Sequence, residues 1–141
     1  MKAFFDTSVL VAVFLENHEH HDRSFLCFSN TDPKGGCCAA HTLAELYSTL
    51  TRMPGKFRLS TDQILLFLES LEERLEIVPL DVQDYRQAIE AAAKTGITGG
   101  TIYDALLGWC ALKAGVDRIY TWNLDHYRNL GSEIARKAQT P

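Results

Sequence analysis

Several features of specialised protein classes are missing from this sequence. No apolar run approaches the ~20 residues that a membrane-spanning helix needs, because charged residues interrupt every hydrophobic segment. No charged and then apolar leader with a small-residue cleavage site precedes the first predicted strand, which argues against secretion. Both absences predict a cytoplasmic protein that is not attached to a membrane.

Cysteine is scarce, and its spacing does not suit a metal centre. The four cysteines are Cys27, Cys37, Cys38 and Cys110, and no two of them form a C-x-x-C pair. The adjacent Cys37 and Cys38 would point to opposite faces of a strand. We therefore expect reduced, mostly buried thiols of a cytoplasmic protein, and no zinc site.

Positive charge is also in short supply. Lysine and arginine number 14 against 18 aspartates and glutamates, which gives a formal net charge of −4. This balance argues against a broad basic face that binds nucleic acid. It is compatible with a site that is lined by carboxylates and whose local negative charge is reversed by a bound cation. The length of 141 residues, with 46% hydrophobic residues, predicts one domain over residues 1–141 with a real core.

Short apolar runs alternate with amphipathic helical segments along the chain. Such runs, bounded by turn residues, are typical of strands in a buried parallel sheet. The predicted strands are Ala3–Phe5, Cys37–Ala40, Glu76–Leu80 and Arg118–Tyr120. Since a helical segment follows each of the first three strands, the class is α/β with a parallel sheet.

Capping motifs predict where several helices begin. Thr42 with Glu45 and Ser60 with Gln63 have the capping-box spacing, in which the later side chain reaches back to a free backbone N–H. Capping is therefore a structural alternative to any functional role of Glu45. Residues 132–141 carry no clear pattern, and we expect the last of them to be frayed.

Three histidines, His18, His20 and His21, lie within four residues. They cannot all face one point on either a helix or a strand, so a metal cluster is not indicated. The segment predicts the solvated start of a helix.

Three acidic residues occupy positions where chemistry occurs in α/β proteins. Asp6 ends the first strand, and Glu45 lies in the first turns of the helix after the second strand. Asp104 is the only charged residue between Ile102 and Leu112, on a helix that is apolar nearly all round. A buried carboxylate has to be protonated, paired or bound to metal. The structural alternatives are that Asp6 or Ser8 caps a helix, and that Asp104 is a first-turn charge behind a Thr101 cap.

Asn123 and Asp125 follow the fourth strand and would meet these acids at one edge of the sheet. Clustered carboxylates repel one another unless a cation neutralises them, and Mg²⁺ prefers such oxygen ligands. A cluster of this kind that holds Mg²⁺ or Mn²⁺ is typical of enzymes that hydrolyse phosphodiesters.

Four segments carry a family resemblance: F-F-D-T-S-V-L-V (Phe4–Val11), A-E-L-Y-S-T-L-T-R (Ala44–Arg52), G-G-T-I-Y-D-A-L (Gly99–Leu106) and T-W-N-L-D-H-Y (Thr121–Tyr127). In this order and spacing they resemble the motifs of PIN-domain ribonucleases, and most closely those of VapC-type toxins from toxin–antitoxin pairs. The resemblance implies a PIN-like three-layer α/β/α fold with a central parallel sheet of four or five strands. It also implies a Mg²⁺- or Mn²⁺-dependent endoribonuclease that inhibits translation and growth.

By the same resemblance, Asp6, Glu45 and Asp104 match the three acidic metal-site positions of the family. Thr7 and Ser8 would contact metal-bound water or phosphate, and Thr121 would supply a supporting hydroxyl. Asn123 stands where many PIN domains have Asp. Its amide brings no negative charge, so Asp125 is an alternative occupant of that fourth position, and solvent exposure is the other interpretation of Asp125.

The resemblance also implies an RNA substrate, a VapB-type antitoxin and a homodimer. Arg52 and Lys56 lie in a loop with Phe57 and Arg58, a mixture that suits single-stranded RNA, although a solvated turn explains it equally well. His126 would contact substrate or serve as a surface or capping histidine.

Two other functions are compatible with parts of the pattern. A metal-dependent phosphatase with a nucleophilic aspartate would also place Asp6 at the end of strand one. The second aspartate that such enzymes use two residues later is absent, because Ser8 stands there. A non-catalytic PIN-like binding module is the other alternative, in which Asn123 marks a decayed site.

Overall fold

The computed structural model describes all residues from Met1 to Pro141. Five short strands form one sheet in which every neighbouring pair is parallel. The strands are β1 (Ala3–Phe5), β2 (Gly36–Ala39), β3 (Glu76–Val78), β4 (Arg118–Tyr120) and β5 (Ala138–Gln139). Their order in the sheet is β3-β2-β1-β4-β5, so β1 lies in the centre.

Eight α-helices and one 3₁₀ turn (Gly55–Phe57) connect the strands. The helices are α1 (Thr7–Phe14), α2 (His21–Ser29), α3 (Ala40–Thr51), α4 (Thr61–Arg74), α5 (Val82–Lys94), α6 (Thr101–Lys113), α7 (Leu124–Arg128) and α8 (Ser132–Lys137). The predicted α/β class with a parallel sheet is confirmed. The four predicted strands are present, and two of them are displaced or shortened by one or two residues.

Two hydrophobic clusters lie on opposite faces of the sheet. On one face Phe5 and Cys38 pack against apolar residues of α1, α3 and α4. On the other face Phe4 and Cys37 pack against residues of α6, α7 and α8. Consecutive residues of β1 and β2 thus face opposite ways, as strand geometry requires. This arrangement confirms the three-layer α/β/α architecture.

Gly36 allows a close contact at the start of β2. A Cβ atom there would lie 2.8 Å from Cε2 of Phe5 and 3.0 Å from Cδ2 of Leu75, and both of these side chains are buried. Because Gly36 pairs with Ala3 of the central strand, the packing against Phe5 also fixes how β2 meets β1.

Two of the helix starts differ from the predicted caps. Thr42 does not cap α3, because the helix already begins at Ala40 and its N-cap, Ala39, makes no side-chain hydrogen bond. Gly100, rather than Thr101, precedes α6, again without a side-chain cap. The predicted capping box of Ser60 with Gln63 is confirmed at the start of α4.

The prediction of a frayed C-terminus is wrong. Residues 132–137 form α8, and Ala138 and Gln139 pair with β4 as the edge strand β5. Ile134 is buried against Gly108 of α6, and the Pro141 carbonyl accepts a hydrogen bond from Arg23 Nη2 at 2.6 Å. The segment lacked a strand signal because its strand is only two residues long.

No helix is both long and apolar enough to cross a membrane. All four cysteines are unpaired, and three of them are buried. Burial raises the pKa of the Cys37 and Cys38 thiols to about 12, so both remain protonated at neutral pH.

Candidate functional site

A cleft of about 590 Å³ opens at the carboxyl edge of the sheet. The three predicted carboxylates, Asp6, Glu45 and Asp104, all line it. They reach it from the end of β1, from α3 and from α6. The other lining residues are Thr7, Ser8, Val11, His18, Glu19, His20, Thr49, Leu107, Trp122, Asn123 and His126.

Asp6 is the most buried of the three carboxylates, with 4% of its surface exposed. Its Oδ2 accepts hydrogen bonds from Ser8 Oγ at 2.6 Å, from the Ser8 backbone N–H at 3.3 Å and from Thr121 Oγ1 at 3.0 Å. Its Oδ1 accepts one from Tyr127 Oη at 2.7 Å. These donors offset the cost of burying the charge. Asp6 is also the N-cap of α1. The helix-capping role that was its structural alternative is therefore present as well as its place in the cleft.

Tyr127 completes this set of donors and was not predicted as a site residue. The side chain is 1% exposed, and burial together with the negative charge of Asp6 raises the pKa of the phenol well above its ordinary value. The hydroxyl therefore stays protonated and donates to Asp6. Tyr127 was the last residue of the fourth motif, but no local pattern indicated that α7 would turn it towards the end of β1.

Ser8 and Thr121 also order the backbone on the far side of the cleft. Ser8 Oγ accepts a hydrogen bond from the Trp122 N–H at 3.0 Å, and Thr121 Oγ1 accepts one from the Asn123 N–H at 2.9 Å. Both hydroxyls thus contact Asp6 and the segment that follows β4, and the predicted contact of Ser8 with metal-bound water or phosphate stays a prediction.

Glu45 is held by Thr7, which in turn contacts Thr42. Thr7 Oγ1 donates to Glu45 Oε1 at 2.9 Å and also lies 3.0 Å from Thr42 Oγ1, which is fully buried. Burial raises the pKa of Glu45, and the nearby charges of Asp6 and Asp104 act in the same direction. The Thr42–Glu45 spacing therefore reflects a polar contact between α3 and α1, instead of a capping box.

Asp104 lies near the start of α6 with 30% of its side chain exposed. Burial is the main cause that raises its pKa, and the charge of Asp6 adds to it. His126 Nδ1 lies 3.4 Å from Asp104 Oδ2 and opposes the shift. His126 therefore belongs to the cleft, although a surface or capping role was an equally open interpretation of its sequence position.

The donor set suits a hard divalent cation. All three carboxylates face the same cleft, and Asp6 Oδ1, Glu45 Oε2 and Asp104 Oδ1 keep acceptor positions that no further protein donor uses. No three His, Cys, Asp or Glu side chains are arranged to hold an ion by themselves. Mg²⁺ is commonly bound by one or two carboxylates together with several waters, so a complete protein cage is not required.

Two residues, Asn123 and Asp125, were predicted for the fourth position of the site, and only one of them lines the cleft. Asn123 lines the cleft. Asp125 does not, because its side chain is 86% exposed and pairs with Arg128 at 2.5 Å. The reason is helical geometry: Asp125 and the buried Tyr127 are two residues apart on α7 and face opposite sides. The assignment of Asp125 to the site is therefore corrected.

The two basic residues predicted to bind substrate, Arg52 and Lys56, lie in different places, and neither lines the cleft. Arg52 lines no part of the cleft, and its Nε donates instead to the Ser48 carbonyl at the end of α3. Lys56 lines a second depression of about 530 Å³, together with Phe57 and Arg58. His18 lies on the wall of both cavities.

The histidine segment contributes to the cleft, contrary to the prediction of a solvated helix start. His18 and His20 both line the cleft, and the His20 ring stacks on Trp122 with centroids 3.7 Å apart. Sequence spacing excluded a shared metal site, but it carried no signal for packing against a residue more than 100 positions later.

Comparisons with known proteins show the family to which the chain belongs. Residues 3–130 match the model of the PIN domain family. The chain is 36% identical to the ribonuclease VapC40 of Mycobacterium tuberculosis over 110 residues, which cover 78% of each protein. It is 30% identical to the ribonuclease VapC27 of the same species over 107 residues, covering 75% of this chain and 74% of the relative.

Solved structures share the fold. The crystal structure of M. tuberculosis VapC20, described as a toxin that cleaves the sarcin–ricin loop, aligns with a TM-score of 0.73 and 18% identity over 89% of this chain and 92% of that chain. VapBC2 of Rickettsia felis, solved with a promoter DNA fragment, aligns with a TM-score of 0.62 and 18% identity over 99% and 98% of the two chains. By its sequence match over residues 3–130 and its curated relatives, this chain belongs to the PIN domain family, and within it to the VapC-type ribonucleases.

Proposed function

We propose that this protein is a Mg²⁺- or Mn²⁺-dependent endoribonuclease that hydrolyses RNA phosphodiester bonds. The observation that carries the proposal is that Asp6, Glu45 and Asp104, which are far apart in the chain, line one cleft. The raised pKa values of Glu45 and Asp104 support it, because burial and the neighbouring carboxylates disfavour the charged forms of both groups, and a bound cation would offset that cost.

A bound divalent cation would orient the phosphate, lower the pKa of an attacking water and stabilise the leaving oxygen. Asp6, Glu45 and Asp104 would hold that cation. Thr7 positions Glu45, while Ser8, together with Thr121 and Tyr127, holds the Asp6 carboxylate in place through hydrogen bonds. Water adds to phosphorus, the bond to the 3′ oxygen breaks and that oxygen takes up a proton, so the products carry 5′-phosphate and 3′-hydroxyl ends.

Asn123 lines the same cleft, and its carbonyl would position a water or bind the cation weakly. Since the amide is neutral, the site carries three negative charges instead of four. A second cation would accordingly be held more weakly than the first.

The decisive test is cleavage of total RNA by Asp104→Asn, with Asp125→Asn as the matched control. Both changes replace one carboxylate by an amide, but only Asp104 lines the cleft, whereas Asp125 faces solvent. We expect Asp104→Asn to lose at least about a hundredfold in cleavage rate. Asp125→Asn should cut like the wild type. Chelation of Mg²⁺ should stop both active proteins, and mapped ends should carry 5′-phosphates.

Normal cleavage by Asp104→Asn would refute the assignment of that residue. If the wild-type protein did not cut any RNA with Mg²⁺ or Mn²⁺, the chain would instead be a PIN-like module without activity. The phosphatase alternative predicts a burst of product and a phosphorylated Asp6, which the proposed hydrolysis excludes.

Cation binding has a readout that does not depend on activity. A ligand that binds only the folded state raises the free energy of unfolding by about 2.7 kcal/mol at a concentration a hundred times its Kd. Titration with Mn²⁺ should therefore raise the melting temperature of the wild type, and this gain should vanish in Asp6→Ala. In metal-free buffer Asp104→Asn should melt above the wild type, because one repelling carboxylate is gone.

We further propose that the ribonuclease acts in the cytoplasm as a toxin that inhibits translation and growth until a VapB-type antitoxin neutralises it. Exposed apolar side chains support a partner-binding surface: Phe25 and Leu26 on α2 are 50% and 61% exposed, and Leu65 and Leu66 on α4 are 54% and 64% exposed. Expression should arrest growth, Asp104→Asn should not, and co-expression of a VapB-type antitoxin that binds this protein should restore growth.

A homodimer is the expected state of the free protein. On α5, Val82 is 79% exposed, Ile89 is 51% exposed and Tyr85 is 40% exposed, so this helix offers an apolar face without a partner inside the chain. Light scattering after size-exclusion chromatography should give twice the 15.8 kDa chain mass. A monomeric mass at micromolar concentration would contradict this expectation.

A further inference from the structure

The cleft has no strongly basic side chain with which to hold RNA. None of its lining residues is lysine or arginine, and the only basic side chains there are His18, His20 and His126. His126 lies against Asp104. A nucleic acid strand that enters this cleft therefore has to be held by groups other than a cationic patch, in contrast to most sites that bind single strands.

His18 has a hydrogen-bond donor that no protein atom uses. Its Nδ1 accepts the backbone N–H of His20 at 3.0 Å, so the neutral ring carries its proton on Nε2. No hydrogen bond within the protein engages Nε2, and no buried polar side-chain atom lacks a partner, so Nε2 is accessible. Burial and the neighbouring His20 lower the pKa of His18, which favours this neutral form.

The segment that carries His18 is fixed to the carboxylate site by a chain of contacts. The His20 ring lies flat on Trp122, with the planes 9° apart. Trp122 Nε1–H donates to the buried Ser24 Oγ at 2.8 Å, and its backbone N–H donates to Ser8 Oγ. Ser8 Oγ in turn donates to Asp6. The ring of His18 is thus held in a fixed relation to the carboxylates, as a positioning group requires.

His18 also stands where two cavities meet. One is the carboxylate cleft, and the other is the depression of about 530 Å³ that Lys56, Phe57 and Arg58 line. The second cavity supplies what the first lacks: two cations, and an aromatic ring with the Lys56 ammonium 4.9 Å from its centroid. Phosphates pair with cations of this kind, and bases stack on such rings.

We propose that single-stranded RNA runs from the carboxylate cleft across His18 into this second depression. His18 Nε2–H donates to a phosphate oxygen of a nucleotide beside the scissile bond, while Lys56 and Arg58 pair with phosphates further along the strand. This inference rests on the proposed ribonuclease function and adds the path of the substrate. His18 is a positioning residue, because it holds the strand without touching the bond that breaks.

The test measures binding and cleavage separately. Binding uses a fluorescent single-stranded RNA of mixed sequence on the order of 12 nucleotides, with the full chain carrying Asp104→Asn so that the RNA stays intact. The variants are His18→Ala, which removes the donor, and His18→Gln, which restores an N–H at similar reach. Gln87→Ala, on the exposed side of α5 and outside both cavities, is the control.

We expect His18→Ala to weaken RNA binding about tenfold, which is typical for loss of a hydrogen bond to a charged group. His18→Gln should recover most of the affinity, and Gln87→Ala should match the parent. In the active background His18→Ala should raise KM far more than it lowers kcat. The melting temperatures of the His18 variants should agree, so that misfolding does not explain the loss.

The salt dependence distinguishes the two kinds of contact. Lys56→Gln and Arg58→Gln should each lower the slope of log Kd against log salt by about 0.7, because each removes one ionic phosphate contact. His18→Ala should leave the slope unchanged, since its ring is neutral. Unchanged binding in His18→Ala, or a slope that falls with it, would overturn the proposal.

Failure of the nuclease function would give a different pattern. If the wild type bound RNA without cutting it and His18→Ala still weakened binding, the ribonuclease proposal would fail and the RNA path would stand. If the wild type neither bound nor cut RNA, both would be rejected. If the wild type cut RNA and His18→Ala left kcat/KM unchanged, the path alone would be rejected.

Discussion

Removal of one oxygen atom, by Tyr127→Phe, tests how the buried carboxylate of Asp6 is stabilised. Tyr127 Oη donates to Asp6 Oδ1 at 2.7 Å, and the two residues are 1% and 4% exposed. Phenylalanine keeps the ring and its packing against the second core cluster, so the change leaves no appreciable cavity. The free energy of unfolding should fall because Asp6 loses one of its four hydrogen bonds, the one that Oδ1 accepts.

The expected loss is about 1.5–3 kcal/mol, which is typical of a hydrogen bond to a charged group. The entropy of unfolding near 60 °C is about 2.1 cal/mol/K per residue, or about 0.3 kcal/mol/K for this chain. The melting temperature should therefore fall by about 5–10 °C. Thr121 and Ser8 still donate to Oδ2 and keep the loss from being larger.

Urea unfolding in metal-free buffer, followed by circular dichroism, measures the effect. Tyr47→Phe is the matched control, because Tyr47 is 43% exposed on α3 and does not line the carboxylate cleft. Its loss should stay within about 0.5 kcal/mol, as for most surface changes. If Tyr127→Phe cost no more than this control, the view that protein donors stabilise Asp6 would be refuted.

Two further predictions concern packing and pH. Gly36→Ala should lower the free energy of unfolding by about 1–3 kcal/mol, because its Cβ would lie 2.8 Å from the Phe5 ring. The control is Gly55→Ala, whose Cβ would have no atom within 4 Å, and it should be nearly neutral in the same urea titration. The hydrogen bond from Lys113 lowers the pKa of Asp84 below its usual 3.8. The contribution of this hydrogen bond to stability is present above pH 3.8 and is lost as the pH falls through the lowered pKa of Asp84. At acid pH the melting temperature of Asp84→Asn should therefore decline less steeply than that of the wild type. If the melting temperatures of Asp84→Asn and the wild type declined equally at acid pH, the stabilising contact with Lys113 would be contradicted.

Local sequence was sufficient for the first four strands and for selecting the three acids of the candidate site, but it missed α8 and β5. The apolar run before Asp6 is too short for a helix, which indicated a buried strand, and the capping box at Ser60 marked the start of α4. Asp104 was recognisable because a lone carboxylate on an apolar helix needs a partner. These features depend on neighbours within a few residues.

Local sequence was misleading where a spacing had two explanations. Thr42 and Glu45 have the capping-box separation, yet both are inside α3 and contact Thr7 of α1. Asp125 has the right chemistry and the right distance from β4, but α7 turns it to solvent. In each case the tertiary contact, and not the local pattern, decided the role of the side chain.

The sequence by itself determined the α/β class, the parallel sheet and the three acids to consider for the site, because periodicity and side-chain chemistry are properties of short segments. Only the tertiary structure decided which donors hold Asp6. Thr121 and Tyr127 lie 115 and 121 residues from it, and the parallel pairing of β1 with β4 carries the segment that contains them to its side. The stacking of His20 on Trp122 has the same origin. Such contacts depend on how the helices pack against the sheet, and no local sequence pattern predicts that packing.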